Sequence, residues 1–228
     1  MHLYIANKCY SSWSLRPWML LRAHNIPFDE TVIPLDMPDT ASRIRAISGS
    51  GRVPILVDGE AVVWESLAIL EYLADKFADA GMWPAGLSAR AHARAISSEM
   101  HAGFSALRRA CPMNLGKRYA YKDRGAAVDA DVARIEALWA EARRKFAGNG
   151  GPFLYGAFSA ADAMYAPVVT RLDTYGFEVS NESRSYMQAV LGHPAFAEWR
   201  YGALQETWVA PSDEVDEEAV ENFRPHLG

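Results

Sequence analysis

Cysteine is nearly missing from this sequence. Two residues, Cys9 and Cys111, in a chain of 228 exclude a disulfide framework, and two reduced thiols fit a reducing compartment. No Cys/His cluster has metal-ligand spacing, since His92 and His101 stand nine apart on an expected helix with no partner motif, so no metal is expected. A basic excess is also missing: 23 Lys and Arg against 28 Asp and Glu give a net charge of -5. That balance excludes the electrostatic footprint of a nucleic-acid binder, and no Lys/Arg run marks a membrane-facing surface. No apolar stretch is long enough to cross a bilayer. Met1 to Ala6 is a strand-length run without a preceding basic region or a signal-peptide core. No internal repeat is present. A soluble, cytoplasmic protein without nucleic-acid or membrane partners is expected.

What is present is apolar content, 50% of residues, enough for one large core or two small ones. The first ~80 residues alternate between strand and helix patterns. Strands are expected over Leu3 to Ala6, Phe28 to Ile33, Ile55 to Val57 and Ala61 to Val63. The last two flank an Asp58-Gly59 turn, the strongest hairpin signal in the chain. Helices are expected over Ser14 to His24, with Pro17 in the first turn, over Thr40 to Ile47, and over Glu65 to Phe77. The order is βαβαββα, and a terminal hairpin makes the four-stranded sheet mixed. After the Gly81 to Gly86 loop, strand patterns nearly vanish. One long helix is expected from Ala89 to Cys111, stopped by Pro112, and another from Ala126 to Phe146, ended by the run Gly148 to Pro152. Ser159 to Asp162 reads as a capping-box variant opening a helix to Tyr175. Glu182 to Leu191 and Ala195 to Glu206 complete the bundle. The fold class is thus α/β followed by all-α. Expected boundaries are 1–80 for the sheet domain, 88–206 for the helical domain, and 207–228 for a solvated acidic tail.

Three segments could carry chemistry. Val53-Pro54 opens a strand with a residue that cannot donate to a sheet. A cis bond there would turn the Val53 backbone outward to pair with a bound peptide. The dipeptide alone reads as an ordinary strand start with a trans bond, but the flanking Gly51 and Asp58-Gly59 turns favour the peptide-binding reading. Glu65-Ser66 opens a helix. Ser66 can cap it, its free N–H groups suit a carboxylate, and Glu65 can accept from an ammonium. Ser11 and Ser12 precede the first helix, where hydroxyl donors and the helix dipole stabilise a thiolate. One hydrogen bond to a charged group contributes roughly 1.5–3 kcal/mol, about 1–2 pKa units. Capping is the competing role for each pair, and the two roles are compatible. Arg16 is expected in an ion pair to the helical domain, and Cys9 as a small buried side chain. Met100, Phe104, Met113, Tyr119 and Tyr121 are candidates for an apolar pocket or for helical core.

In this order and spacing, Ser11-Ser12-Trp13-Ser14-Leu15-Arg16, Gly51-Arg52-Val53-Pro54 and Trp64-Glu65-Ser66 resemble the cytosolic glutathione S-transferase superfamily, over about residues 2 to 206. The resemblance implies a thioredoxin-like N-terminal domain, a helical C-terminal domain, homodimerisation and glutathione as co-substrate. Val53-Pro54 is similar to the family's cis-proline position, and Glu65-Ser66 to its γ-glutamyl site. Ser159 to Asp162 is similar to its helix-nucleating capping motif. The implied glutathione-binding set is Arg52, Val53, Pro54, Glu65 and Ser66. The implied thiol-activating residue is Ser12 or Ser11: Ser11 fits the register of the zeta class, and Ser12 fits the serine-to-arginine spacing of the theta type. Trp13, Met100, Phe104 and Tyr119 are the expected second-substrate pocket. The N-terminal segment is similar to zeta-class enzymes, more distantly to serine-type theta and delta enzymes, and to bacterial members of no assigned substrate.

Trp13 is the informative departure. Zeta-class isomerases carry a cysteine there, and beta-class enzymes place a catalytic cysteine at about that point. An indole does no thiol chemistry, which argues against both of those activities. The expectation is a transferase joining the glutathione thiolate to a small, mostly apolar electrophile. A glutathione-dependent isomerase of maleylacetoacetate or maleylpyruvate type, a disulfide reductase, and a non-catalytic binding module stay open as alternatives.

Overall fold

Strict alternation along short strands sets the two faces of the sheet. A computed structural model describes residues 1–148 and 150–227. Within it, β1 (His2–Ile5), β2 (Asp29–Val32), β3 (Ile55–Asp58) and β4 (Ala61–Trp64) form one sheet in the order β2-β1-β3-β4. β1 runs parallel to β2 and antiparallel to β3, and β3 and β4 form an antiparallel hairpin. Gly59 sits at φ 60 in the hairpin turn, a conformation open to glycine at little penalty. Leu3, Ile5 and Leu56 point into the main core beneath α1 (Ser12–Ala23) and α3 (Ser66–Lys76). Tyr4, Ile55 and Val57 point the other way, onto Ile44 of α2 (Thr40–Ile47). This is the mixed four-stranded βαβαββα unit expected. α1 begins two residues earlier than expected, which puts Pro17 inside the helix and not in its first turn.

The helical part is organised around α7 (Ala160–Thr174), buried almost all round and packed against α1. Around it lie α4 (Leu87–Ala102), α5 (Ser105–Ala110), α6 (Ala126–Phe146), α8 (Asn181–Leu191) and α9 (Pro194–Gln205). The capping box of α7 is formed: Asp162 Oδ2 accepts from the Ser159 N–H at 2.8 Å. Its Oδ1 accepts from the Leu154 N–H at 3.0 Å, which ties the preceding loop to the helix start. Burial pushes the Asp162 carboxyl up to about 6, and these hydrogen bonds oppose the shift. Among the described residues, no helix is long and apolar enough to cross a membrane.

Two expectations are corrected. The single helix Ala89 to Cys111 is two helices, α4 and α5. Gly103 ends the first in extended backbone and Phe104 takes φ 54. A Cβ on Gly103 would lie 2.7 Å from the Glu99 carbonyl oxygen, so the break is built around a glycine. The acidic tail is only partly solvated: Asp216 and Glu218 are exposed, but Glu214 and Glu217 are not. β6 (Ala219–Asn222) pairs antiparallel with β5 (Lys117–Tyr119). Glu214 accepts from Tyr10, Asn114 and Lys117, and Glu217 forms a bidentate pair with Arg124 at 2.9 Å. The acids found partners on the bundle, which charge patterning alone does not show. Asn149, within the expected helix stop, and Gly228 lie outside the described residues.

Candidate active site

The chain leaves β1 and enters α1 through Ser11 and Ser12, 7% and 8% exposed. Ser11 is the helix cap. Its Oγ accepts from the Ser14 N–H at 3.4 Å, and its hydroxyl donates to Ser14 Oγ at 2.8 Å. Ser12 differs. Its Oγ accepts from Nη2 of Arg171 on α7 at 3.2 Å, and its own proton has no acceptor among the described residues. Both serines line a cavity of about 380 Å³ whose wall includes Trp13, Arg108, Arg109, Arg171 and Asp213. A second cavity of about 440 Å³ shares Trp13 and Arg108 with the first, and adds Arg52, Val53, Pro54, Glu65 and His101. The sequence segments singled out above therefore meet at one composite cleft between the sheet and the helices. The Val53-Pro54 peptide bond is cis.

Glu65 precedes α3 at φ 67, a conformation that side chains larger than glycine rarely adopt. Such a position costs about 1–3 kcal/mol and is a mark of functional sites. Its carboxylate lies 4.0 Å from Arg52 and 3.5 Å from His101. Ser66 is the first residue of the helix, not its cap, and is fully buried. Its Oγ accepts from Nη1 of Arg16 at 3.3 Å. Arg16, 1% exposed, is thus not the ion pair to the helical part that was expected. It reaches the start of α3 and lies 4.2 Å from the centre of the Trp13 indole. Arg108 lies 4.5 Å from the same ring.

Charge is the main property of this cleft. Burial, and then the nearby Arg171 and Arg108, hold the Arg16 guanidinium well below its ordinary pKa. Burial and Arg108 push Arg171 down to about 10. Burial is the larger cause in both, and the mutual repulsion of neighbouring guanidiniums adds to it. His101 is lowered by burial and by Arg16, which leaves its imidazole neutral near pH 7. Two competing thiol-site candidates are disfavoured. The Tyr10 hydroxyl donates to Glu214 at 2.6 Å, with its pKa pushed far up by burial and by that bond. Cys9 is fully buried, and burial raises its thiol pKa, so it is held as a thiol.

The expected second-substrate residues separate. Trp13 lines both cavities. Met100, Phe104 and Tyr119 line neither, because they are buried in the bundle core at 0%, 7% and 2% exposure. Tyr119 stacks on Tyr175 at 5.2 Å. The wall beside Ser12 is therefore mostly polar, not the apolar surface expected. Arg108, Arg171, His101 and Asp213 escaped the sequence reading. One signal was available: Arg171 is the lone cation in the run from Ala160 to Leu172, where Asp162 and Thr170 are the other clearly polar residues. A charge on a helix buried all round needs a reason.

Comparison with known proteins fits this geometry. Residues 10–76 match the family model for the glutathione S-transferase N-terminal domain, and residues 125–200 the model for its C-terminal domain. A dichloromethane dehalogenase of Methylorubrum extorquens is 43% identical over 61 residues, 26% of this chain and 21% of that protein. A probable maleylacetoacetate isomerase of Caenorhabditis elegans is 32% identical over 107 residues, 47% of this chain and 48% of that protein. The chain thus matches about half or less of the length of these relatives. Among solved structures, a sphingomonad glutathione S-transferase complexed with glutathione superposes with a TM-score of 0.68. It is 21% identical and covers 90% of this chain and 100% of its own. A glutathione transferase homologue from Burkholderia, with bound glutathione, gives a TM-score of 0.65 at 20% identity, covering 89% and 96%. At such identities the likeness is one of fold.

Proposed function

The chain belongs to the glutathione S-transferase superfamily, and we propose that it is a glutathione-dependent transferase acting on a small electrophile, with Ser12 as the thiol-activating residue. The observation that carries this reading is the Ser12 hydroxyl: it lines the cavity, its oxygen is held by a buried guanidinium, and its proton is uncommitted. A hydroxyl whose oxygen accepts from a cation is a stronger donor, and a thiolate is the acceptor that benefits most. The Ser11 proton is committed to Ser14.

The residues present fit glutathione on a property of this cleft, its buried guanidiniums without carboxylate partners. Glu65 would accept from the γ-glutamyl ammonium. Ser66, Arg16 and the start of α3 would hold the neighbouring carboxylate, and Val53 the cysteinyl backbone. Arg52, at 4.0 Å from Glu65, orients that carboxylate at the rim. When bound, glutathione supplies the nucleophilic sulfur: a carbon–sulfur bond forms as the bond from that carbon to its leaving group breaks, the electron pair departs with the leaving group, and the thiol proton goes to solvent. Ser12 lowers the energy of the thiolate by its hydrogen bond, Arg171 holds the Ser12 oxygen, and Trp13 walls the reacting region. Cytoplasmic residence and a homodimer complete the proposal. Two free, buried cysteines suit a reducing compartment.

Two measurements test it. Titration calorimetry should show glutathione binding that Ser66→Ala weakens by about tenfold, the equivalent of one charged hydrogen bond. Unchanged affinity would mean that Glu65-Ser66 serves the helix alone. Turnover with glutathione and a panel of aryl halides, alkyl halides, disulfides and cis-enoyl acids separates transferase, dehalogenase, reductase and isomerase. Tight binding without consumption of any of them would leave the binding-module reading in force.

A further inference from the structure

We propose that the cavity beside Ser12 takes an electrophile bearing a carboxylate. This deepens the transferase reading and rests on it. The wall carries three guanidiniums, Arg108, Arg109 and Arg171, against one carboxyl, Asp213. Arg171 is 5% exposed, and all three of its nitrogens donate to neutral oxygens: Nε to the Cys111 carbonyl at 2.8 Å, Nη1 to the Pro167 carbonyl at 3.1 Å and Nη2 to Ser12 Oγ at 3.2 Å. Among the described residues, Arg108 donates only to the His101 and Gly103 carbonyls, both at 3.4 Å.

Several arginines elsewhere in the protein are paired with acids. Arg94 is bidentate to Glu71, Arg134 to Glu99 and Arg124 to Glu217. Arg108 and Arg171 form no such ion pair among the described residues, and at the cleft desolvation makes an unpaired cation costly. With the tripeptide's γ-glutamyl end at Glu65 and Ser66, the three guanidiniums facing Ser12 have Asp213 as the one carboxyl in their wall, and the excess of positive charge is left for the second substrate.

The geometry is prepared for that role. Three hydrogen bonds fix the Arg171 plane before any ligand arrives, so little side-chain freedom is lost on binding. Arg108 is held over Trp13. The apolar part of the wall includes Trp13, Leu35 and Pro112. A volume of about 380 Å³ suits one flat ring or a short chain with its acid group. A carboxylate on the arginines would fix the orientation of such a molecule beside Ser12, where the sulfur is to be presented.

The test uses unreactive ligands, so it does not depend on turnover. Calorimetry on the glutathione-saturated protein compares 3,5-dinitrobenzoate with 3,5-dinitrobenzamide, which differ in charge and little in shape. The benzoate should bind about tenfold tighter or more, as expected for one charge-assisted contact. Arg109→Gln, at an exposed position, should lower that ratio. Arg171→Gln and Arg108→Gln should bring it towards one, and Arg171→Lys should retain part of it. Equal affinity in the native protein overturns the proposal. So does a preference that persists in Arg108→Gln and Arg109→Gln, even should Arg171→Gln fail to fold. A benzoate preference in a protein that consumes no electrophile would sink the transferase reading and leave the anion site standing. Lack of glutathione binding would also sink that reading, and the same ligand pair on the glutathione-free variants still decides the site.

Discussion

Ser12 and Arg171, 159 residues apart in the chain, meet at 3.2 Å, the serine oxygen accepting from the guanidinium. The contact joins the first helix of the sheet unit to the central helix of the bundle. It also divides the labour of the two serines. Ser11 terminates a helix, and Ser12 presents a polarised hydroxyl to the cavity.

The first expected outcome follows from that division. Ultraviolet thiolate absorbance of bound glutathione, followed against pH, should titrate about 1–2 pH units higher in Ser12→Ala than in the native protein. Ser11→Ala should leave that titration nearly in place and instead lower the unfolding free energy, measured by denaturant titration, by about 1 kcal/mol for a lost cap. A change confined to Ser11→Ala would reverse the assignment. No change in either variant would transfer the role to backbone N–H groups and the cation cluster.

The parts of the site that were legible in the sequence are local ones. Asp58-Gly59 announces a hairpin, Ser159 to Asp162 announces a helix start, and the Val53-Pro54 and Glu65-Ser66 pairs stand out within a few residues of chain. The cations are a product of packing. Arg108 and Arg171 come together only because α5 is cut from α4 and because α7 crosses α1. The apolar period of Ala89 to Cys111 runs through Gly103 unbroken, so periodicity hides the cut. Asp213 was lost for a related reason. A run of acids reads as solvated until Lys117 and Arg124, about a hundred residues earlier, are seen to hold Glu214 and Glu217.

Gly103 is the second point of test. Its backbone turn lets α5 start afresh, with Asp131 Oδ2 accepting from the Leu107 N–H at 3.0 Å in the first turn of that helix. Gly103→Ala would press a methyl group onto the Glu99 carbonyl, at 2.7 Å before relaxation. The expected loss is about 1–3 kcal/mol of stability, the range for overpacking. Because the strain lies just before the helix that bears Arg108 and Arg109, the benzoate-to-benzamide ratio should fall in the same variant. Chemical denaturation and the calorimetric pair read the two effects separately. An unchanged midpoint with an unchanged ratio would show that the break tolerates a side chain and does not aim the arginines.

Asp213 sets the pH dependence of the same cavity. Burial pushes its carboxyl up to about 6. Arg171 opposes that rise, and Asp36 and Glu214 add to it. The neighbouring Ser212 donates to Asp36 at 3.1 Å, which ties this turn to the segment after β2. Above about pH 6 the Asp213 carboxylate offsets part of the arginine charge. Below it the acid is neutral and the offset is gone. Affinity for a carboxylate ligand that remains ionised should therefore rise as pH falls from 7.5 to 5.5. Burial and Arg16 lower the His101 pKa, so its charging comes at lower pH than for a free imidazole. A rise of about tenfold is the scale for removing one nearby like charge, and it corresponds to a bound anion that makes Asp213 tenfold easier to protonate. Asp213→Asn should bind the benzoate at pH 7.5 as tightly as the native protein does at pH 5.5, with a nearly flat profile between. Calorimetry across that range, with the neutral benzamide as control, measures it. A native profile that is flat, or one that Asp213→Asn leaves unaltered, would remove Asp213 from the electrostatics of the site.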